Sequence, residues 1–188
     1  IWFYQVVAGE IHVIDFYAAN GHGVEHYVEV LNEKGYKYAK LGDKPFLWLP
    51  HDARAKTFAS GGKSSQEQFF RLGYASRIVP ELSLQDGVQA LRMALPRMWF
   101  DETRCKDGIE ALKLYRREWD SDKKVFRDKP LHDWTSHAAD SARYMALAWQ
   151  ETKAKEPEPE PRWAIKSGKP QVTLNELWDT VKPKDDYL

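Results

Sequence analysis

The side chains best able to do chemistry in this chain fall in two stretches. Pro130–Ala146 reads PLHDWTSHAADSARYMA, and Phe46–Arg54 reads FLWLPHDAR. In the first, His137, Asp140 and Tyr144 recur at i, i+3 and i+7, which places them on one face of a helix. That helix is predicted from Trp134 to about Gln150, a span rich in Ala, Met, Leu and Arg and free of Gly and Pro. In the second, a continuous apolar run ends in Pro50 and is followed by His51 and Asp52. This is the pattern of a fully buried strand that delivers a carboxylate at its C-terminal end. Spacing alone would make His137 and Asp140 an ordinary surface pair; the two stretches together point further. Two carboxylates so placed have two standard uses. They flank a glycosidic bond as acid and base, or they hold divalent cations that activate water for phosphodiester hydrolysis. Zinc fits less well, because His12, His22, His26, His51, His132 and His137 are scattered without a ligand spacing. The residues alone put the two-metal reading only modestly ahead.

These side chains must be positioned by an alternation of strands and helices. Ile1–Ala8 and Ile11–Ala18, split by Gly9-Glu10, predict an antiparallel hairpin. Asp15 falls within its second strand, where an edge or solvent-facing position is expected. Val24–Lys34 carries a helical stripe closed by Gly35. Pro45–Pro50 is the buried strand, Gln66–Leu72 a short helix and Ser76–Val79 a short strand. Leu82–Met98 is predicted as a helix opened by Ser83, and Met98–Phe100 as a brief strand. Lys106–Arg117 is predicted as a helix capped by Asp101 or Thr103, with Ile109, Leu112 and Leu114 inward. Glu118–Asp128 predicts a hairpin with a charged tip beside the site. Asp133 is expected as an N-cap, and His51 as a structural residue.

The 188 residues carry 28 basic and 28 acidic side chains, so any nucleic-acid binding must rest on a local patch. Arg54, Lys63, Lys123, Lys124 and Arg127 could form such a rim on backbone phosphates, with little sequence specificity. Gly61-Gly62-Lys63-Ser64-Ser65 resembles a phosphate-binding loop only superficially, because the glycine required five positions before Gly62 is Thr57. The single cysteine, Cys105, forms no disulfide framework and suits a reducing compartment. No apolar run reaches membrane-spanning length. Beyond residue 152 the sequence turns charged and Pro-rich, so residues 1–152 are expected as the domain and 153–188 as linker and tail. The chain starts abruptly in strand-like sequence, as expected of a fragment lacking an upstream part.

Pro50–Ala53 (PHDA) after an apolar run, Trp99–Cys105 (WFDETRC) and His132–Tyr144 (HDWTSHAADSARY) resemble the nuclease domain of bacteriophage large terminase subunits over about residues 1–150. The resemblance implies an α/β, RNase H-like fold, a mixed β-sheet flanked by helices on both faces. It implies metal-dependent endonuclease cutting of concatemeric double-stranded DNA with Mg²⁺ or Mn²⁺, as two ions, in the host cell cytoplasm. Asp52 and Asp140 match two of the family's metal-binding acids, and His137 matches a histidine one turn before the last. The family's first acid precedes a strand resembling Ile1–Ala8 and has no counterpart here; Asp15 could be only an outer contributor. Without that acid, weak metal binding and poor cutting are expected. Implied partners are DNA, an upstream ATPase domain of the same protein, the portal and the small terminase subunit, with no membrane. Two other readings remain: an RNase H-like resolvase or transposase core, and a non-catalytic docking module whose tail, Leu174–Val181, binds the portal or another packaging protein.

Overall fold

Trp2–Val7 (β1) and Glu10–Phe16 (β2) form the predicted antiparallel hairpin. Ala8 and Gly9 turn it, both at positive φ (50° and 81°), as a tight two-residue hairpin loop requires. The structure is a computed structural model and describes residues 1–56 and 61–155. Residues Ile1–Lys153 form one compact unit, which holds all the side chains discussed below. The expected docking segment of the tail, Leu174–Val181, lies outside the described residues.

The remaining elements follow in alternation. They are α1 (Val24–Lys34), β3 (Lys40–Leu41), β4 (Lys44–Leu49), α2 (Ser65–Arg71), β5 (Ala75–Ile78), α3 (Leu84–Ala94), β6 (Met98–Phe100), α4 (Lys106–Leu114), β7 (Arg117–Asp120), β8 (Val125–Pro130) and α5 (Trp134–Lys155). The chain is therefore mixed α/β. Among the described residues its strands group into three small sheets, ordered β1-β2-β6, β3-β4-β5 and β7-β8. β2 pairs β6 in parallel, as β4 pairs β5, while the other pairs are antiparallel. No described helix is long and apolar enough to cross a membrane.

Consecutive residues of a strand point to opposite faces, and Trp2 and Phe3 accordingly enter two different cores. Trp2 joins Ile11, Val13, Ala90, Ala111, Ala142, Ala146 and Met145, so α3, α4 and α5 cover that face of the hairpin. Phe3 joins Val28, Leu31, Phe69 and Tyr74, with Leu47 and Leu49 packed against them. Small residues let α5 sit close: Ala142, Ala146 and Ala148 are fully buried, and the Trp2 indole N–H donates to the Ala138 carbonyl at 3.0 Å.

Four expectations need correction. β4 is half-buried along its length rather than fully buried. Its Phe46 and Trp48 rings are partly covered by the Arg77 guanidinium, 5.4 and 6.0 Å away, and a planar cation leaves an aromatic ring wetter than a packed apolar layer does. α3 stops at Ala94, because Pro96 falls in a following 3₁₀ turn and cannot continue an α-helical hydrogen-bond ladder. α4 ends at Leu114, whose side chain is exposed, and Asp101 caps the turn before it by accepting from the Thr103 and Arg104 N–H groups. The fourth concerns Asp15.

Asp15 is buried, at 4% exposure, rather than facing solvent. The hairpin register runs Trp2↔Phe16 and Phe3↔Asp15, then jumps to Tyr4↔Val13, leaving Ile14 as an extra residue. Such a bulge turns the chain locally. It puts Ile14 and Asp15 in succession on the Phe3 side, where Lys34 of α1 reaches the carboxylate.

Candidate functional site

Pro50 ends β4 because it has no N–H for a ladder, and the chain tightens into a 3₁₀ turn, His51–Arg54. The Ala53 N–H donates to the Pro50 carbonyl (3.1 Å) and the Ala55 N–H to the Asp52 carbonyl (2.8 Å). Ala53 is buried, which anchors the turn and leaves the Asp52 side chain exposed. His51 is half-buried, its ring meeting Tyr144 edge-on at a centroid distance of 6.2 Å.

The second half of the site comes from α5. Asp133 caps this helix as expected: its Oδ1 accepts from the Thr135 N–H (2.9 Å) and hydroxyl (2.5 Å). The Asp133 N–H donates in turn to Ser136 Oγ at 3.0 Å. The Thr135 bonds stabilise the ionised carboxyl and hold its pKa below the usual carboxylate range. His137, Asp140 and Tyr144 then follow on one face. His137 is exposed, with the His132 ring 5.8 Å away.

Asp140 has a partner that the spacing argument overlooked. Arg143 donates to its Oδ1 from Nη2 at 2.6 Å and from Nε at 3.2 Å. Arg143 itself is buried and passes close over Gly87 of α3, where a larger side chain would displace its guanidinium. A Cβ built on Gly87 would lie 2.8 Å from Arg143 Nη1. The guanidinium also stands 5.5 Å from the Tyr144 ring centroid.

Tyr144 feels the charge of both predicted acids. Its phenol pKa is raised, first by burial and further by the negative charges of Asp140 and Asp52, with Arg143 pulling the other way. Tyr115 likewise titrates high, by burial first and then by the Asp140 charge. The geometry that joins the two stretches is the edge-on contact of the His51 ring, beside Asp52, with Tyr144 on α5.

Asp15 belongs to a different constellation. Its Oδ1 accepts the Phe16 N–H at 2.8 Å, and its Oδ2 accepts from Lys34 and, at 3.0 Å, from the Tyr36 hydroxyl. Arg104 completes the chain by donating to the Tyr36 hydroxyl at 3.2 Å. Both carboxylate oxygens are therefore engaged, and the group serves as a buried ion-pair anchor between β2 and α1.

Among the candidate phosphate contacts, Arg54, Lys63, Lys123 and Lys124 are exposed, the last two at the β7–β8 turn. Arg127 is committed to Glu118 (3.1 Å) and Asp120 (3.3 Å) on its own hairpin.

Among the described residues, no three His, Cys, Asp or Glu side chains come together as a metal-binding group. The donor chemistry nevertheless suits a hard cation. Mg²⁺ is commonly held by one or two carboxylates, with water and substrate phosphate completing its shell. Among the described residues, Asp52 has no side-chain hydrogen bond or ion pair, and Asp140 accepts on Oδ1 but not on Oδ2. No family model, curated protein or solved structure matches this chain.

Proposed function

We propose that this chain is a divalent-metal-dependent endodeoxyribonuclease domain with an RNase H-like arrangement, of the kind found in bacteriophage large terminase subunits. Its substrate is concatemeric double-stranded DNA in the host cytoplasm, and its associates are an ATPase domain, a portal and a small subunit. The reading is supported by the strand end that carries Asp52 lying beside the helix that carries Asp140: the ring of His51, next to Asp52, meets Tyr144, one turn after Asp140, at a centroid distance of 6.2 Å. When bound, Mg²⁺ or Mn²⁺ supplies an activated water and positive charge at the leaving oxygen.

The chain's own residues have separable tasks. Asp52 is an exposed carboxylate at a strand end, anchored from below by Ala53. Arg143 fixes the rotamer of Asp140 through a two-nitrogen contact on Oδ1, and among the described residues Oδ2 accepts no hydrogen bond. Tyr144 stays protonated at neutral pH and offers a hydroxyl donor to a phosphate oxygen. His137, exposed one turn before Asp140, is placed to contact the scissile phosphate.

Plasmid cleavage with Mn²⁺, with and without chelator, tests this. Cutting that needs the metal and disappears in both Asp52→Asn and Asp140→Asn supports it. Because the family's first acid has no counterpart here, the deciding arm is a version extended upstream by one strand. If that folded protein leaves supercoiled and linear DNA intact at millimolar Mn²⁺ and Mg²⁺, the reading is overturned and a docking module then leads.

A further inference from the structure

The β7–β8 ribbon carries a surface that the Asp52–Asp140 site does not use. Among the described residues its strands pair with each other and with neither of the other sheets. Its two faces differ in kind. Arg127, Glu118 and Asp120 share one face, where their charges satisfy one another. On the other, Trp119 and Phe126 stand directly opposite across the ladder, ring centroids 4.8 Å apart and planes at 70°. These rings are 52% and 59% exposed, and every residue of the turn beyond them is exposed as well. A Trp and a Phe left this open contribute little to the ribbon's own burial, and exposed aromatic surface of this kind marks contact sites.

The charge around the rings selects the partner. Arg116, Arg117, Lys123, Lys124, Arg127 and Lys129 stand against Glu118, Asp120, Asp122 and Asp128, a positive excess on a chain whose net charge is zero. Asp122 lies in the turn itself, beside Lys123, and is exposed; the acid at the base of the turn is engaged. Asp120 accepts the Asp122 and Lys123 N–H groups at 3.1 Å and Arg127 at 3.3 Å. Lys123 and Lys124 are left at the turn without an ion pair among the described residues.

We infer that this ribbon binds DNA bases: Trp119 and Phe126 stack on bases that have left the helical stack, and Lys123 and Lys124 meet the flanking phosphates. The inference takes its ligand from the nuclease reading but does not depend on Asp52 or Asp140. A two-stranded ribbon fits the major groove, yet an intact duplex presents base edges there, whereas aromatic rings gain most from base faces. The preferred ligand is therefore a single strand or an unpaired segment rather than intact duplex. Two rings rimmed by cations are also too small an apolar area for a stable protein interface.

Fluorescence anisotropy in chelator, with a labelled single strand and the same sequence as duplex, tests this. Wild-type chain should prefer the single strand. Trp119→Ser/Phe126→Ser should lose roughly ten- to a hundredfold of its single-strand affinity and far less on duplex. Lys123→Ala/Lys124→Ala should weaken both alike and flatten the salt dependence. Both side chains are more than half exposed, so the aromatic variant should keep its circular dichroism spectrum. As a second measurement, single strands bearing 5-bromouracil should crosslink at Trp119 or Phe126. Equal binding by wild type and aromatic variant, or crosslinks that map elsewhere, overturns the inference. If plasmid cutting fails while aromatic-dependent binding holds, the nuclease reading falls alone. If metal-dependent cutting holds while aromatic-dependent binding fails, the ribbon falls alone.

Discussion

Arg143 reaches back one helical turn to hold Asp140, its Nη2 2.6 Å from Oδ1, while its own side chain is buried against Gly87. The pair couples α3 to the proposed site. Replacing Arg143 with Ala removes a charge-assisted contact of the class worth about 1.5–3 kcal/mol and frees the Asp140 rotamer. Urea unfolding should show a loss of that order, and metal-dependent cutting should fall although Asp140 is retained. Unchanged cutting would show that Arg143 does not position the acid.

Tyr144 reports on the geometry without any assay of activity. Its pKa is raised by burial first, and the Asp140 and Asp52 charges add to the effect. Asp52→Asn and Asp140→Asn should each lower it, as read from ¹³Cζ-labelled tyrosine by NMR. A titration untouched by Asp52→Asn would remove Asp52 from the site.

Asp15 gives the fold an acid limit. Burial pushes its pKa up, but Lys34, Tyr36 and the Phe16 N–H outweigh that and hold it below the usual value. A depressed folded pKa contributes stability above the unfolded value of about 4, lost as pH falls through the folded value. Asp15→Asn should therefore destabilise at neutral pH, by about 2–3 kcal/mol, since Lys34 can still reach water. The gap from wild type should narrow as pH drops below about 4. A gap that stays constant down to pH 2 would contradict the ion pair.

Gly108 on α4 has no room for a methyl group: a Cβ there would lie 2.3 Å from the Trp2 ring and 2.8 Å from Phe16. In an open helix Gly→Ala stabilises by about 1 kcal/mol. Here overpacking against two ring systems should win, and Gly108→Ala should destabilise by about 1–3 kcal/mol net. A rise in Tm for this variant would refute the close packing.

Cys105 should be silent in the native state. Burial first, then the charges of Asp101 and Asp15, push its thiol up to about 11, and it is fully buried. At pH 8 roughly one thiol in a thousand is ionised. Reaction with a thiol reagent should therefore track global unfolding. Rapid native-state labelling would place the residue nearer the surface.

The helices were legible wherever an apolar stripe met a local stop signal. Val24–Lys34 ends at Gly35 in the left-handed conformation, φ 63°, and Ser83 opens α3 by accepting the Asp86 N–H. Asp133 capped as its residue type suggests. Less legible were features set by tertiary partners. The extra residue Ile14 has no local signature, so strict alternation could not foresee that Asp15 would turn inward onto Lys34. β4 reads as apolar throughout, but its burial depends on what covers Phe46 and Trp48, here a guanidinium. At the proposed site Asp52, Asp140 and Tyr144 were readable from type and spacing. Arg143 was readable in principle, three residues after Asp140, but the reason for its burial lies in Gly87 on another helix.

The bond from the Trp2 indole to the Ala138 carbonyl joins residues 136 positions apart. The β1–β2 hairpin leaves a ribosome well before α5, so Trp2, Ile11 and Val13 must wait for the covering helix while the intervening elements are made. Closing a loop of that length early is entropically unfavourable. The hairpin face then stays uncovered in the nascent chain, and folding should complete only as residues 134–149 leave the exit tunnel.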